Sequence, residues 1–525
     1  MADGYNWFLI IVAIVVTVLM GVMNVYILIH FQHPEDRNQA WLPKIVVVLG
    51  LTLAVLSVLM FPLDVGNRGA CSEDIVLSAC KFSLPMKELW MFVYMAMAIL
   101  VLFVIPFTLF YYEADSEYTL WQKIWSASQW VIVTFIVVAL TLGIAYGLAG
   151  YVEYDVEQVD SGMVPLAATG LGANLRTCLI PGCTPQPPSY NNCFGGQLCD
   201  GAARDEQGIG SKEEWSLRTS FPVYMIAVIS ILGWLLFMVF AGVGVFALPV
   251  DWIKAFAYRP RTTITRSEYI SEAIKMEKRA KEVQVLAKSL RREEQERGKS
   301  RKWRKQLNML NQQLVMLEED ETALREVYPQ GEEREMAWTM TCIGYWGKLV
   351  GGILGCVVSL MWLIHVVLFM FISPPVHPFL NDFFIDLDGV FPLFGTAAFA
   401  FFCFYLMMIT VKGCMTLGLR LVFFTIHPMR VGATLMSSFL FNVALILLCS
   451  VAVIQFCAQA FSVYAIDTDI QEIFGNEIMH LRGLKYLYIY NVFLYCFLIF
   501  AVAGVIWVSI TPAPKKKTLE EIYAE

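Results

Sequence analysis

Polar groups are costly inside the long apolar runs of this 525-residue chain and therefore informative, and five such side chains are candidates for a functional role. His365 is the one titratable group near the middle of such a run. The others are neutral amides, namely Asn24, Asn442, Gln455 and Gln459. A lone intramembrane histidine favours an interhelical hydrogen bond over a proton relay, and amides likewise hold helices together. Ion-coupled transport generally needs buried carboxylates at mid-membrane, so the sequence gives it little support.

Cysteines form a second group of reactive side chains, and they divide between two hydrophilic loops and the rest of the chain. The six in the loops are disulfide candidates: Cys71, Cys80, Cys178, Cys183, Cys193 and Cys199. We expect a Cys71–Cys80 bridge and two bridges among the other four, whose pairing the sequence leaves open. A zinc site is a less favoured alternative, because the spacing lacks paired C-x-x-C knuckles. The other seven cysteines should remain thiols.

No spacing typical of catalysis appears anywhere in the chain. HExxH, Walker A and GxGxxG signatures are absent from the sequence. The pair His30 and His33 could offer two metal ligands, but no nearby residue completes a shell. We therefore predict a protein that is not an enzyme, with no cofactor and no metal.

These side chains must be positioned by membrane helices. Hydrophobic residues make up 58% of the chain and charged residues only 16%, and a soluble domain carries nearer a quarter. Runs long enough to cross a bilayer occur at residues 7–29, 45–61, 89–111, 130–151, 221–249, 349–372, 390–411, 433–461 and 487–510. The sequence thus predicts an all-α polytopic membrane protein with about nine transmembrane helices. Residues 417–426 are also apolar but short, and are interpreted as an interfacial or re-entrant piece rather than a tenth span.

The sidedness of the membrane helices follows from the charges beside them. Lys254, Lys412 and the cluster at residues 515–517 flank alternate span ends, whereas the loop at residues 382–388 holds three aspartates and no basic residue. The six loop cysteines lie on the acidic side, where disulfides form. We expect the N-terminus outside or in a lumen and the C-terminus in the cytosol.

The hydrophilic segment between the fifth and sixth spans has a composition typical of long helices, and it predicts a charged helical hairpin in the cytosol. Leucines recur at heptad spacing in its second arm, at positions 307, 310, 314, 317 and 324. Gly298 separates this arm from an earlier one. A self-packed hairpin is favoured over a coiled coil that drives oligomerisation. The expected division is a five-span bundle (1–250) with a Cys-rich lumenal or extracellular loop (152–220), the hairpin (251–345), a four-span bundle (346–512) and a cytosolic tail (513–525).

Three local motifs and the overall layout resemble the LIMR family, the limb-region and lipocalin-interacting membrane receptor proteins. The motifs are Phe-Pro-Leu-Asp-Val at 61–65, Ile-Pro-Phe at 105–107 with Phe-Tyr-Tyr-Glu at 110–113, and Ala-Leu-Pro-Val-Asp-Trp-Ile-Lys at 247–254. Within the family, the chain is most similar to the branch of the lysosomal cobalamin transport escort protein and its plant and protist relatives. The four-cysteine loop departs from that branch, so no binding residues are transferred.

The resemblance implies a multi-pass receptor or an escort for a partner ABC-type transporter, with a lumenal ligand or lipocalin-like protein as a further possible partner. The implied location is an endolysosomal, vacuolar or plasma membrane. The alternative is a transporter or channel in its own right for a neutral or lipid-like solute. That alternative requires the intramembrane polar residues to converge on one cavity. Nucleic acid is not an expected partner, because acidic residues interrupt the basic runs of the hairpin.

Overall fold

The computed structural model describes residues 7–33, 36, 41–69, 84–114, 119–157, 212–260, 262–297, 301–328, 334–372, 374–391, 393–417 and 434–510. Within these residues, nine helices are long and apolar enough to cross a membrane. The predicted all-α polytopic architecture with nine spans is therefore confirmed. The possible tenth span at residues 417–426 lies outside the described residues except for Leu417, and all six loop cysteines lie outside them too.

Thirteen helices are numbered here in chain order. They are α1 (Trp7–Phe31), α2 (Trp41–Gly69), α3 (Met86–Glu113), α4 (Leu120–Ala149), α5 (Phe221–Ala257), α6 (Arg266–Arg297), α7 (Arg301–Val327), α8 (Arg334–His365), α9 (Phe379–Val390), α10 (Phe394–Leu417), α11 (Met436–Ala460), α12 (Leu484–Ile489) and α13 (Val492–Ile510). A π-helical turn, Leu100–Val104, interrupts α3, and a second one, Val366–Phe371, extends α8.

Two strands form a feature that the sequence patterns did not suggest. β1 (Tyr151–Glu157) pairs antiparallel with β2 (Lys212–Arg218), from Tyr151 opposite Arg218 to Glu157 opposite Lys212. The apolar run predicts a fourth span that reaches Tyr151, but the helix ends at Ala149. The acidic residues that made this stretch look like a loop alternate with Val152, Tyr154 and Val156, as expected of a strand with two unlike faces.

Two other segments have boundaries in the structure that differ from the predicted ones. The aspartates at 382–388 lie in the helix α9 rather than in a loop, because Leu380, Asn381 and Phe384 give this segment a buried face. The ninth span begins at Val492, and the apolar residues just before it belong to the separate short helix α12. The hydropathy of a short amphipathic helix does not differ enough from its neighbours to mark such breaks.

The described residues group into two compact units. The first contains α1, α2, α6–α11, α13 and the part of α5 from Ser230 onward. Its core is α11, which packs on α2 and α10 and is buried along nearly its whole length. A membrane helix that is apolar on every face can be surrounded by lipid or by other helices, and α11 is surrounded by helices. The predicted division into five-span and four-span bundles follows chain order and stays a prediction.

Close contact between α5 and α10 in this unit depends on glycine. A Cβ atom at Gly413 would overlap the carbonyl oxygen of Phe240, and one at Gly244 would overlap the carbonyl oxygen of Ile409. The two glycines thus lie on facing helices and let the backbones meet directly, as small residues do in membrane helix pairs.

The second unit contains α3, α4, both strands, the beginning of α5 and the segment Asp467–Val492 with α12. α4 packs on α3 through ring contacts such as Phe103 with Phe135. Ala127 is the only described residue of α4 that is buried. The remaining apolar surface of this helix is available to lipid or to another membrane protein.

The charged hairpin, α6 and α7, belongs to the first unit and packs on itself. The indole nitrogen of Trp303 donates a 3.0 Å hydrogen bond to the carbonyl oxygen of Leu290 beside the turn between the arms. At the other end, Ile264 packs with Leu324 and Val327. These pairs show antiparallel arms. Their location in the cytosol stays a prediction.

Candidate functional site

His365 ends α8 at the start of a π-helical turn and is completely buried. Its Nε2 lies 2.8 Å from the carbonyl oxygen of Ala460, the last residue of α11. Phe369 and Phe461 stack on its ring with centroids 5.1 and 5.6 Å away. Its Nδ1 has no hydrogen-bond partner among the described residues. A neutral ring protonated on Nε2 fits this setting, because only that nitrogen meets an acceptor.

Asn381 on α9 bonds to the same carbonyl oxygen of Ala460, and the sequence patterns did not indicate it. It is completely buried, and its Nδ2 donates to the carbonyl oxygen of Ala460 at 3.2 Å. Its Oδ1 accepts from the backbone N–H of Tyr464 at 2.9 Å. In a continuing helix, that N–H would bond directly to the carbonyl oxygen four residues earlier. The Asn381 amide is therefore inserted into the broken helical bond at the end of α11.

Asp388 joins this junction from the other end of α9. Its Oδ2 accepts from the hydroxyl of Tyr464 at 2.7 Å, and its Oδ1 accepts from the backbone N–H of Gly395 at 2.8 Å. One helix therefore fixes the end of α11 and the start of α10 together. The polar cluster of His365, Asn381, Asp388, Ala460 and Tyr464 is called the α11 junction below.

Gln455 lies on α11, between one and two helical turns before Ala460, and connects α11 to α5. Its Oε1 accepts from the indole nitrogen of Trp234 at 2.7 Å and from the hydroxyl of Ser230. The Trp234 ring packs between Phe456 and Phe493, with centroids 5.8 and 5.1 Å away. This buried amide thus holds two helices at a fixed rotation.

The other three predicted intramembrane residues lie elsewhere. Asn24 donates to the hydroxyl of Thr52 at 3.1 Å and joins α1 to α2. Asn442 donates to the carbonyl oxygen of Ser438 on its own helix and accepts weakly from the thiol of Cys414 at 3.8 Å. The Nε2 of Gln459 is buried without a hydrogen-bond partner among the described residues. Only Gln459 lies near His365, since Ala460 follows it in the chain.

A further buried contact was missed because its residues are common in helices. The hydroxyl of Ser359 on α8 lies 2.7 Å from the carbonyl oxygen of Val245 and 2.7 Å from the hydroxyl of Tyr405. Tyr405 in turn donates to the carbonyl oxygen of Gly355 at 2.8 Å. Three helices, α5, α8 and α10, meet at this point. A serine or tyrosine within a span carries no sequence signal that separates it from lipid-facing neighbours.

An ionic cluster in the second unit anchors the strands to the segment Asp467–Val492. Lys485 is buried between the carboxylates of Glu214 and Glu153, the latter at 3.2 Å, and Arg482 also pairs with Glu153. The guanidinium of Arg482 and then the ammonium of Lys485 hold the pKa of Glu153 below its usual value, although burial opposes them. The Glu214 carboxylate raises the pKa of Lys485.

The cysteines and histidines do not gather into a metal site within the described part of the chain. Groups of three or more metal-binding side chains are absent there. The seven cysteines outside the two loops are free thiols in the structure: Cys342, Cys356, Cys403, Cys414, Cys449, Cys457 and Cys496. The disulfide pairing of the six loop cysteines stays a prediction.

The hairpin carries an open groove between its arms. Its volume is about 690 Å³, and Ala273, Met276 and Leu317 contribute apolar surface. Tyr269 and Tyr328 stack at one end with centroids 4.4 Å apart. Glu277 and Arg325 also line it, so the groove combines apolar and charged surface.

Comparison with known proteins identifies the family. The family model of LMBR1-like membrane proteins matches residues 9–314 and 266–506. The chain is 48% identical to one LIMR family protein of Arabidopsis thaliana over 497 residues, 95% of this chain and 94% of that protein. The chain belongs to the LIMR family of LMBR1-like membrane proteins. This LIMR chain is also 47% identical to a rice relative (Oryza sativa subsp. japonica) and 33% identical to one of Dictyostelium discoideum, each over 98% of both chains.

No solved structure matches this LIMR chain. The family and the nine apolar helices together establish an integral membrane protein that contacts the lipid bilayer.

Proposed function

We propose that this LIMR chain is a non-enzymatic membrane receptor or escort protein that works by binding a partner transporter of the ABC type. By the resemblance described above, the partnership aids export of a cofactor such as cobalamin from an endolysosomal or vacuolar compartment. A plasma-membrane location would instead fit uptake of an extracellular ligand, such as one bound to a lipocalin-like protein.

The exposed face of α4 is the observation that carries this proposal. Gly143 and Gly147 form a GxxxG spacing, and a Cβ atom at either would meet nothing within 4 Å in the described structure. Ile144 between them is 57% exposed. GxxxG faces allow close backbone contact between membrane helices. This face is suited to a transmembrane helix of a partner protein.

The positions of the intramembrane polar residues also support an escort over a transporter. A transport path for a neutral solute would need Asn24, Asn442, Gln455 and His365 to line one cavity. In the structure each contacts a different neighbouring segment: α2 for Asn24, α10 for Asn442, α5 for Gln455 and the end of α11 for His365. These residues serve helix packing, which is the common role of such groups.

The test is co-purification of the tagged full-length chain from its own cells in a mild detergent, with quantitative mass spectrometry. We expect a membrane transporter to be enriched with the natural chain and to fall about tenfold in the double variant Gly143→Leu/Gly147→Leu. Gly21→Leu in α1 is the matched control, because its Cβ also meets nothing within 4 Å in the described structure. Recovery of the natural chain always alone would refute the proposal.

A second assay separates the escort from the alternative transporter. The purified chain is reconstituted alone in liposomes loaded with cobalamin, and its release is measured. If the chain is an escort, these liposomes should release no more cobalamin than protein-free liposomes with the same load. Sustained release by the chain without a partner would show that it transports the solute itself.

A further inference from the structure

Arg259 is a cation in an unusual setting at the end of a membrane helix. It follows α5 by two residues, and its guanidinium lies 3.7 Å from the ring centroid of Phe256 and 5.8 Å from that of Trp346 on α8. One of its nitrogens donates to the carbonyl oxygen of Phe256 at 2.9 Å. Among the described residues, no carboxylate lies within ion-pair distance of it, in contrast to Lys412, which pairs with Asp251 at 2.6 Å.

The surroundings place Arg259 at the edge of the apolar zone. Phe256 and Trp346 contact each other with centroids 4.8 Å apart, and Trp346 is 56% exposed. The apolar run of α8 begins only a few residues after Trp346. Tryptophan and basic residues at such positions lie at the level of lipid headgroups.

A second cation, Lys348, lies on α8 two residues after Trp346. The ammonium of Lys348 is 4.8 Å from the Tyr345 ring centroid, and in the described residues it too lacks a carboxylate at ion-pair distance. A positive charge beside the bilayer edge that has no carboxylate at ion-pair distance among the described residues attracts an anionic group from the membrane.

We propose that Arg259 binds the phosphate of an anionic phospholipid, with the rings of Phe256 and Trp346 against the glycerol and upper acyl chains. The guanidinium has five N–H donors, and Phe256 occupies one of them, so a planar pair remains for two phosphate oxygens. The aromatic contact fixes the plane of the guanidinium, which a lysine could not reproduce.

The test uses the purified, delipidated full-length chain and native mass spectrometry with added phosphatidylserine or phosphatidylcholine. We expect phosphatidylserine to bind more tightly than phosphatidylcholine, and Arg259→Gln to weaken phosphatidylserine binding about tenfold. Arg259→Lys should give an intermediate loss and keeps the charge if the glutamine variant does not fold. Arg325→Gln on the hairpin, whose natural side chain already pairs with Glu321, is the matched control and should bind as the natural chain does.

Three outcomes would overturn the proposal. The first is equal binding of the two lipids, which would leave only an aromatic membrane anchor. The second is natural phosphatidylserine binding by both Arg259 variants. The third is full displacement of the lipid by inorganic phosphate at the same concentration, which would identify a free anion as the ligand.

Discussion

Replacing Asn381 with alanine should destabilise the α11 junction. The substitution removes the 3.2 Å bond to the carbonyl oxygen of Ala460 and the 2.9 Å bond from the N–H of Tyr464. Each such bond contributes about 1 kcal/mol, and a buried N–H left without an acceptor costs a further ~1–3 kcal/mol. The carbonyl oxygen keeps His365 as a partner at 2.8 Å. The expected loss is therefore about 3–5 kcal/mol in the free energy of unfolding.

Two measurements report this loss. The apparent melting temperature in detergent, followed by tryptophan fluorescence, should fall by roughly 5–10 °C. The thiol of Cys457, which is buried one turn before the junction, should also react faster with a maleimide because the end of α11 opens more often. Cys414, a buried thiol on α10, serves as the internal comparison and should change less.

The aspartate variant adds a test of the inserted bond. Asn381→Asp preserves shape and can still accept from the N–H of Tyr464, but its second oxygen would face the carbonyl oxygen of Ala460. Only the protonated acid can donate there, so Asn381→Asp should regain stability as the pH falls. Asn476→Ala, at an exposed amide, should stay within about 0.5 kcal/mol of the natural chain.

Two results would contradict this role of Asn381. If Asn381→Ala melts within about 2 °C of the natural chain and Cys457 reacts no faster, the amide does not replace the broken helical bond. Equal destabilisation of Asn381→Asp at all pH values would also contradict the geometry, because protonation would then restore no bond.

Three further predictions concern packing, charge and the hairpin. Gly413→Ala should lower the melting temperature, because its methyl group overlaps the carbonyl oxygen of Phe240, whereas Gly344→Ala has open space among the described residues and should be neutral. Burial raises the pKa of Glu477, so its ionised form opposes folding near neutral pH, and this penalty fades as the pH falls through the raised pKa. Glu477→Gln should therefore raise the melting temperature at about pH 7 more than at about pH 5, and an equal effect at both would contradict this assignment. Trp303→Ala should destabilise the hairpin by about 3–5 kcal/mol and speed hydrogen exchange in both arms, while unchanged exchange would show that the arms do not depend on this contact.

Part of the candidate site was visible in the sequence. His365 and Gln455 stand out in the sequence because a polar group in an apolar run must find a partner. Asn381 did not, since it lies in a short segment with several charges that looked like a loop. Its partners are backbone groups of Ala460 and Tyr464, far along the chain, and no local pattern encodes them.

The nine spans, the two arms of the hairpin and the family are all readable in the sequence. Hydropathy and helical spacing, which reveal the spans and the arms, are local properties of a chain. The tertiary structure alone decided which polar groups meet. Pairing across helices depends on the rotation and axial position of each helix, which close contacts such as Gly413 with Phe240 fix to within a fraction of a helical turn. The same is true of β1 and β2, whose Glu153 and Glu214 form an ionic cluster only when the buried Lys485 is brought between them.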